Sequence, residues 1–252
     1  MDDPVAIISD IHANLEALEA VLADIDAQGI GRVLCLGDVV GYGVDAPACV
    51  ALVERRCEVC LCGNHDWAIF NSTVGFNPVA RHAIEVTRRQ LAPGRLSLPG
   101  RRRRWEFLRN LPHTHTVGEW LLVHGSPRGP VAEYIFPEDV DRDPEKMSEI
   151  FSMVPRLCFV GHTHLPGVFV EGMGFWSPVE IGGRFVVSDA KAVVNVGSVG
   201  QPRDEDPRAC YVVVAEGVVR YRRVAYDAQR TAEKIRASRI ENLCGDRLLE
   251  GR

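Results

Sequence analysis

The chain has 252 residues, 46% of them hydrophobic and 25% charged, with a formal net charge of −5. That balance excludes a disordered chain, and no apolar run approaches the roughly 20 residues that cross a bilayer. The acidic excess argues against a duplex nucleic-acid binder, which carries a basic face.

One domain spanning residues 1–252 is expected from the length and the α/β pattern. Met1-Asp2-Asp3-Pro4 lacks the basic stretch and apolar core of a signal peptide, so a cytoplasmic protein is expected. The 8 cysteines then imply buried thiols rather than disulfides. Cys57, Cys60 and Cys62 cluster, but within an apolar run that reads as a buried strand.

In chain order, Val5 to Ile8 predicts a short buried strand. Leu15, Leu18, Val21, Leu22 and Ile25 fall at helical spacing, and Gly29 ends that helix. Arg32 to Leu36 predicts a second strand, Pro47 to Arg56 a helix and Glu58 to Cys62 a third strand. The βαβαβ order implies parallel pairing with helical crossovers. Residues 67–112 interrupt it with a helical insertion, comprising helices over Pro78–Leu91 and Arg101–Leu111, placed to cover the mouth of a site.

From Thr114 the pattern is strand-rich. Strands are expected at Trp120–His124, Leu157–Gly161, Gly167–Glu171, Phe185–Ser188, Ala192–Val196, Cys210–Ala215 and Val218–Ala225, with Glu216-Gly217 as a hairpin turn. A closing helix is expected over about 227–244, with Ile235 and Ile240 on its apolar side. So many strands with outer helices imply two sheets packed face to face.

Five segments place metal-type side chains directly after apolar strands: Asp10-Ile11-His12, Gly37-Asp38, Gly63-Asn64-His65-Asp66, His124-Gly125 and Gly161-His162-Thr163-His164. The carboxyl ends of parallel strands converge on one crevice, so these residues can gather despite their separation. Asp10, His12, Asp38, Asn64, His124, His162 and His164 make seven oxygen and nitrogen donors, more than one structural zinc takes. They suit two ions sharing a carboxylate. An imidazole-rich, thiolate-free set favours manganese, iron, zinc, cobalt or nickel over magnesium. If Asp10-Ile11-His12 and His162-Thr163-His164 are locally extended, their alternate residues share one face.

These blocks, in this order, resemble the calcineurin-like metallophosphoesterase family over about Val5 to Val199. The resemblance implies a four-layer α/β/β/α sandwich of two mixed sheets. It implies that Asp10, His12, Asp38 and His164 hold one ion. Asp38 then bridges to a second ion that also takes Asn64, His124 and His162. His65 is a catalytic residue rather than a ligand in this scheme, acting as general acid or stabilising the phosphoryl charge, with Asp66 or Asp38 orienting it.

The implied chemistry is phosphoester hydrolysis. Two cations about 3.5–4 Å apart neutralise the ester, lower the pKa of a bridging water and align it for in-line attack. The bond hydrolysed is a phosphomonoester, a phosphodiester or a nucleotide pyrophosphate. A small phosphorylated substrate is expected ahead of a phosphoprotein, and a nucleic acid last. Manganese is the metal most expected.

Asn64, His65 and Arg203 are expected to touch the substrate. Arg203 closes the stretch Asn195 to Arg203, which is similar to a box near the site in bacterial members of the family. Tyr42 is placed to line the pocket, and Arg81 and His82 to reach toward a substrate. The run Arg101 to Arg104 is either a solvated helix face or a patch for polyphosphate or nucleic acid. The rival functions are a non-catalytic metal-binding scaffold on the same fold and a nuclease.

Overall fold

The computed structural model describes residues 3–238 and 243–252. The chain begins with β1 (Val5–Ile8), α1 (Leu15–Ala27), β2 (Arg32–Cys35), α2 (Ala46–Arg56), β3 (Val59–Cys60) and α3 (Asn64–Ala68). The insertion follows with α4 (Pro78–Leu91) and α5 (Pro99–Arg109). Next come β4 (Thr114–Val117), β5 (Trp120–Val123), α6 (Asp139–Arg142), α7 (Pro144–Met153), β6 (Leu157–Val160), β7 (Gly167–Val170) and β8 (Gly174–Trp176). The chain closes with β9 (Arg184–Val186), β10 (Ala192–Asn195), β11 (Ala209–Ala215), β12 (Val218–Val224), α8 (Ala228–Arg236) and α9 (Leu243–Glu250).

The strands form two mixed sheets of six, ordered β3-β2-β1-β11-β12-β9 and β4-β5-β6-β10-β7-β8. β1, β2 and β3 pair in parallel in the first, as do β5, β6 and β10 in the second. Alternation along each strand sorts the side chains between two faces. Val5 and Ile7 of β1 face Phe159, Val194 and Val212 in the core between the sheets. Ala6 and Ile8 face the opposite way, against Leu18, Val21 and Val50 of α1 and α2. Beyond the second sheet, Met147, Ile150 and Phe151 of α7 pack on Cys158, Val160 and Val193. Helix, sheet, sheet and helix are therefore four layers, as the strand and helix order predicts.

Asn14 caps α1 by accepting from the Ala17 amide at 3.1 Å, and Asn77 does the same for Ala80 at 2.9 Å in α4. Glu216 and Gly217 both lie at positive φ, 51° and 70°, the turn a two-residue hairpin requires.

Two expectations change. The closing helix ends at Arg236 rather than running to 244, because Ser238 turns back and donates its hydroxyl to the Ile235 carbonyl at 2.6 Å. A separate helix begins at Leu243, and Ile240 lies outside the described residues. The third strand shortens to Val59–Cys60, since the Cys62 amide leaves the ladder to donate to Pro112 O at 2.8 Å.

The insertion also divides its work. Phe76, Asn77 and Ala80 reach a cavity mouth, whereas the rest of α4 and α5 packs on α2 through Ile84, Leu91 and Leu108.

Candidate metal centre and active site

Every strand of the two parallel sets ends in a site segment. The register keeps those ends level: Ile8 pairs with Cys35, Cys35 with Cys60, and Asn195 with Val160. Beyond the ladder, Gly161 N donates to His124 O at 3.0 Å. Asp10, His12, Asp38, His124, His162 and His164 are all buried there.

Their donor atoms converge. His12 Nε2 lies 3.0 Å from His164 Nε2, 3.7 Å from Asp10 Oδ1 and 3.6 Å from Asp38 Oδ2. His164 Nε2 lies 3.2 Å from Asp10 Oδ1, and His124 Nε2 lies 3.4 Å from Asp38 Oδ2. Asn64 Oδ1 is 3.3 Å from His124 Nε2. Three sets of ligand atoms each lie within 4.8 Å of one another: Asp10, His12 and His164; Asp38, His124 and His162; and His12, Asp38 and His65.

The local backbone corrects one expectation. Asp10, His12, Asp38, His162 and His164 sit at φ of 54°, 50°, 52°, 66° and 63°, so neither Asp10-Ile11-His12 nor His162-Thr163-His164 is extended. This left-handed region is disfavoured for residues bearing a Cβ. Here it turns each chain end back over the sheets, and non-local bonds hold it. The Asp10 amide donates to Gly37 O at 3.0 Å and the His12 amide to Asp38 O at 2.9 Å.

The imidazoles are already oriented. Nδ1 of His12 meets Val40 O at 3.2 Å, that of His124 meets Leu36 O at 3.1 Å and that of His164 meets Gln201 O at 2.6 Å. A carbonyl only accepts, so each Nδ1 carries a proton and each ring turns its Nε2 toward the centre. His162 is reversed: its Nε2 meets Ala132 O at 3.1 Å.

Two Nε2 lone pairs facing at 3.0 Å repel unless positive charge lies between them. Asp10 Oδ1, buried and without a hydrogen-bond partner, points at the same place. The donor set therefore fits cations.

The electrostatics agree. Burial opposes charge on Asp10, but His164 and His124 beside it overcome that and hold the carboxyl well below its ordinary range. The same contest, with His124 and His65, holds Asp38 low. Burial pushes His162 down to about 3 and His164 down to about 4, leaving both neutral. His124 is the exception: burial works against its charge, yet Asp38 and Asp10 lift it to about 9.

His65 is buried between the ring edges of His12, 4.8 Å away, and Phe76, 5.2 Å away. Its amide donates to Asp38 Oδ1 at 2.8 Å. The ring fits because residue 41 is glycine; a Cβ there would overlap His65 Nδ1. Burial pushes the imidazole well below its ordinary value, with Asp38 opposing.

The expectation that Asp66 orients His65 is not met. Asp66 Oδ2 accepts from the Gly63 and Val39 amides at 3.1 and 3.3 Å, and Oδ1 from Val40 at 3.2 Å. The carboxylate is spent on backbone, fixing the loop that carries Asp38.

Arg203 stands at the edge of the centre. Its Nη2 donates to Gln201 Oε1 at 2.8 Å and the Tyr42 hydroxyl at 3.4 Å. Tyr42 lines the adjoining cavity, as expected, whereas Arg81 and His82 do not.

The first three arginines of the run bond to the chain itself. Arg101 donates to Arg89 O at 2.7 Å, Arg102 to Arg95 O at 3.0 Å and Arg103 to Glu54 at 2.7 Å.

The stretch Asn195 to Arg203 was expected near the site, but the sequence assigned no bracing role to Asn195 and Ser198. Asn195 Nδ2 donates to Gly161 O and Thr163 Oγ1, both at 2.8 Å, and Ser198 Oγ donates to Asp10 O at 2.8 Å. Together they tie the Asp10 loop to the His162–His164 loop. Small polar residues directly after the apolar strand Ala192–Val194 were the available signal.

A profile of the calcineurin-like phosphoesterase superfamily domain matches residues 4–217. The chain belongs to this superfamily. It is 36% identical over 257 aligned positions to an uncharacterized protein of Methanocaldococcus jannaschii, covering 98% of each chain. It is also similar to the crystal structure of a metallophosphoesterase from Sphaerobacter thermophilus, at 36% identity, full coverage of both chains and a TM-score of 0.84. A hypothetical protein from Pyrococcus horikoshii shares the fold at 19% identity and a TM-score of 0.74, covering 99% of this chain and 98% of that one. Membership makes the chain a metal-dependent phosphoesterase in the general sense.

Proposed function

We propose that the chain is a dinuclear phosphoesterase acting on a small phosphorylated substrate. The observation that carries this reading is the position of Asp38. Its Oδ2 lies 3.6 Å from His12 Nε2 and 3.4 Å from His124 Nε2, between two groups of donors. One carboxylate between two donor groups is what a shared bridging ligand requires.

Asp10, His12, Asp38 and His164 would hold one ion, and Asp38, Asn64, His124 and His162 the other. Manganese suits this mixed nitrogen and oxygen set, which iron, zinc, cobalt or nickel could also occupy. When bound, such ions neutralise the ester and supply an activated water.

The chain's own residues do the rest. The carbonyls of Val40, Leu36 and Gln201 fix three imidazoles before substrate arrives. Arg203 offers its guanidinium to a phosphoryl oxygen. His65, lining the cavity beside Asn64 and kept neutral by burial, offers a ring N–H to the departing oxygen and stabilises the charge that develops there. Asp38 holds His65 by its backbone amide, so Asp38 rather than Asp66 orients it.

A cavity of about 530 Å³ beside these residues supports a small substrate. No disulfide joins the described cysteines, in keeping with a reducing, cytoplasmic setting. No helix among the described residues is long and apolar enough to cross a membrane. Tyr42, Ala80 and Ala83 share one cluster with Ile235 and Leu248, which supports reading insertion, site and C-terminal helices as one domain.

The test is metal content alongside turnover. Purified protein should bind about two manganese ions per chain and hydrolyse a simple phosphoester. Asp38→Asn should lower metal content and cut turnover by several orders of magnitude. His65→Ala should keep the metals and slow poor leaving groups most. Equal metal loss in both variants would overturn the roles assigned here.

A further inference from the structure

Beside the centre, the cavity has two unlike parts. Asn64, His65 and His162 form its inner end, and Tyr42, Trp67, Val74, Phe76, Val131 and Tyr134 form most of the remaining wall. Its lining contains no lysine, arginine, aspartate or glutamate. A polyphosphate chain or a phosphopeptide would bring charges that this wall does not answer. Its volume of about 530 Å³ falls within the ~300–1,000 Å³ of pockets that bury drug-sized molecules.

Trp67, Val74 and Tyr134 remain 38%, 88% and 41% exposed. Large apolar side chains grouped at the mouth of a polar centre mark a binding surface. The rings differ in what they can offer. Tyr134 already stacks on His162, with centroids 3.8 Å apart and planes 18° apart, so that face is occupied. Phe76 meets His65 edge-on at 89°. Trp67 makes no ring contact with the described residues, so it is available for stacking.

We infer that the substrate's leaving group carries a planar aromatic ring, as in a nucleoside or aryl-methyl phosphate, received by Trp67 and Phe76 while the phosphoryl group meets the centre. This rests on the phosphoesterase reading above and adds the substrate class. Stacking on Trp67 would draw on the ring's π-face. Trp67 stands on α3 beside Asn64 and His65, and Phe76 just before α4, which gives 67–80 a role in selection.

The experiment compares substrates that differ only in the ring, using manganese-loaded protein. Adenosine 5′-monophosphate and ribose 5-phosphate share a leaving oxygen, and benzyl and cyclohexylmethyl phosphate differ little there. The ring-bearing member of at least one pair should be preferred tenfold or more in kcat/KM. The pair that shows the preference separates a nucleoside from a simple aryl group. Trp67→Ala should shrink that ratio roughly 5- to 150-fold, the range for losing one base–aromatic stack. Trp67→Phe should restore most of it.

Adenosine and benzyl alcohol, which lack phosphate, should quench tryptophan fluorescence where ribose and cyclohexylmethanol do not. Equal turnover within both pairs overturns the inference and leaves the phosphoesterase reading intact. Failure to hydrolyse any ester with metals bound overturns that reading instead. Fluorescence then decides the pocket: saturable quenching by either ring compound upholds it, and none refutes it.

Discussion

Asp66 provides a sharp test because two roles for it predict opposite results. Its carboxylate is fully buried and accepts from three backbone amides: Gly63, Val39 and Val40. Asp66→Ala strands all three donors. A buried donor left unpaired costs about 1–3 kcal/mol, so for three donors the loss should total roughly 3–9 kcal/mol, a large part of a domain's ~5–15 kcal/mol. Asp66→Asn can keep its oxygen where Oδ2 stands, retaining Gly63 and Val39. Its NH₂ then faces the Val40 amide, donor against donor, and the loss should be about 1–3 kcal/mol.

The pH dependence adds a second readout. Burial, with the charge of Asp38, raises Asp66 to about 7. An unfolded aspartate titrates near ~4, so between those values the folded protein holds a proton that the unfolded chain lacks. Stability from this group therefore falls as pH rises, by up to about 1.4 kcal/mol per pH unit. Asparagine does not titrate, so the wild type's advantage over Asp66→Asn should shrink from pH 5 to pH 8. Urea unfolding in chelator, at both pH values, measures it. If Asp66→Asn were as stable as the wild type yet inactive with full metal content, Asp66 would be orienting His65 and the backbone role would be refuted.

The remaining predictions concern assembly of the centre. His124 is raised to about 9, so metal uptake at pH 7.5 must expel its proton. Calorimetry in buffers of different ionisation enthalpy should show about one proton released at that site, with affinity rising toward pH 9. No release would place the charge elsewhere. Gly161 is a close-approach position: a Cβ there would overlap Ser9 Oγ and Asp10 Oδ2. Gly161→Ala should cost ~1–3 kcal/mol and lower metal content, whereas Gly31→Ala, with nothing within 4 Å, should do neither. Equal behaviour of the two would show that Asp10 can move freely.

The elements around the site were legible where local pattern and tertiary demand agree. Leu18, Val21, Leu22 and Ile25 repeat at helical spacing because that face meets the sheet. Pro78 at the first turn and Leu91 at the last fix α4 from sequence alone. α7 was missed because Met147, Ile150 and Phe151 are its only buried residues, too few to set a period against its charges. The donors were legible because each follows an apolar strand. What fixes them was not, because Val40 O, Leu36 O and Gln201 O are backbone atoms, and residue type says nothing of where a carbonyl points. Asp66 misled for the same reason: adjacency to His65 suggested a side-chain partner, but its partners are amides.

The left-handed donors explain why so much of the chain is needed to hold so small a centre. Non-glycine residues in that region cost about 1–3 kcal/mol each, and five of the seven proposed ligands adopt it. A strand end left alone would relax toward the extended form and carry its side chain away from the others. Here every such loop is bonded to another. Asp10 is tied to Gly37 and, through its own carbonyl, to Gly200 and Ser198; His12 is tied to Asp38. The His162 amide donates to Asp10 Oδ2 at 3.0 Å. The links from Asp10 to Gly200, Ser198 and His162 cross between the sheets, so the arrangement depends on both being packed together. That makes Leu34, Phe159 and Val194 in the core between the sheets, none of which touches a ligand atom by its side chain's chemistry, part of what sets the distance between the two donor groups.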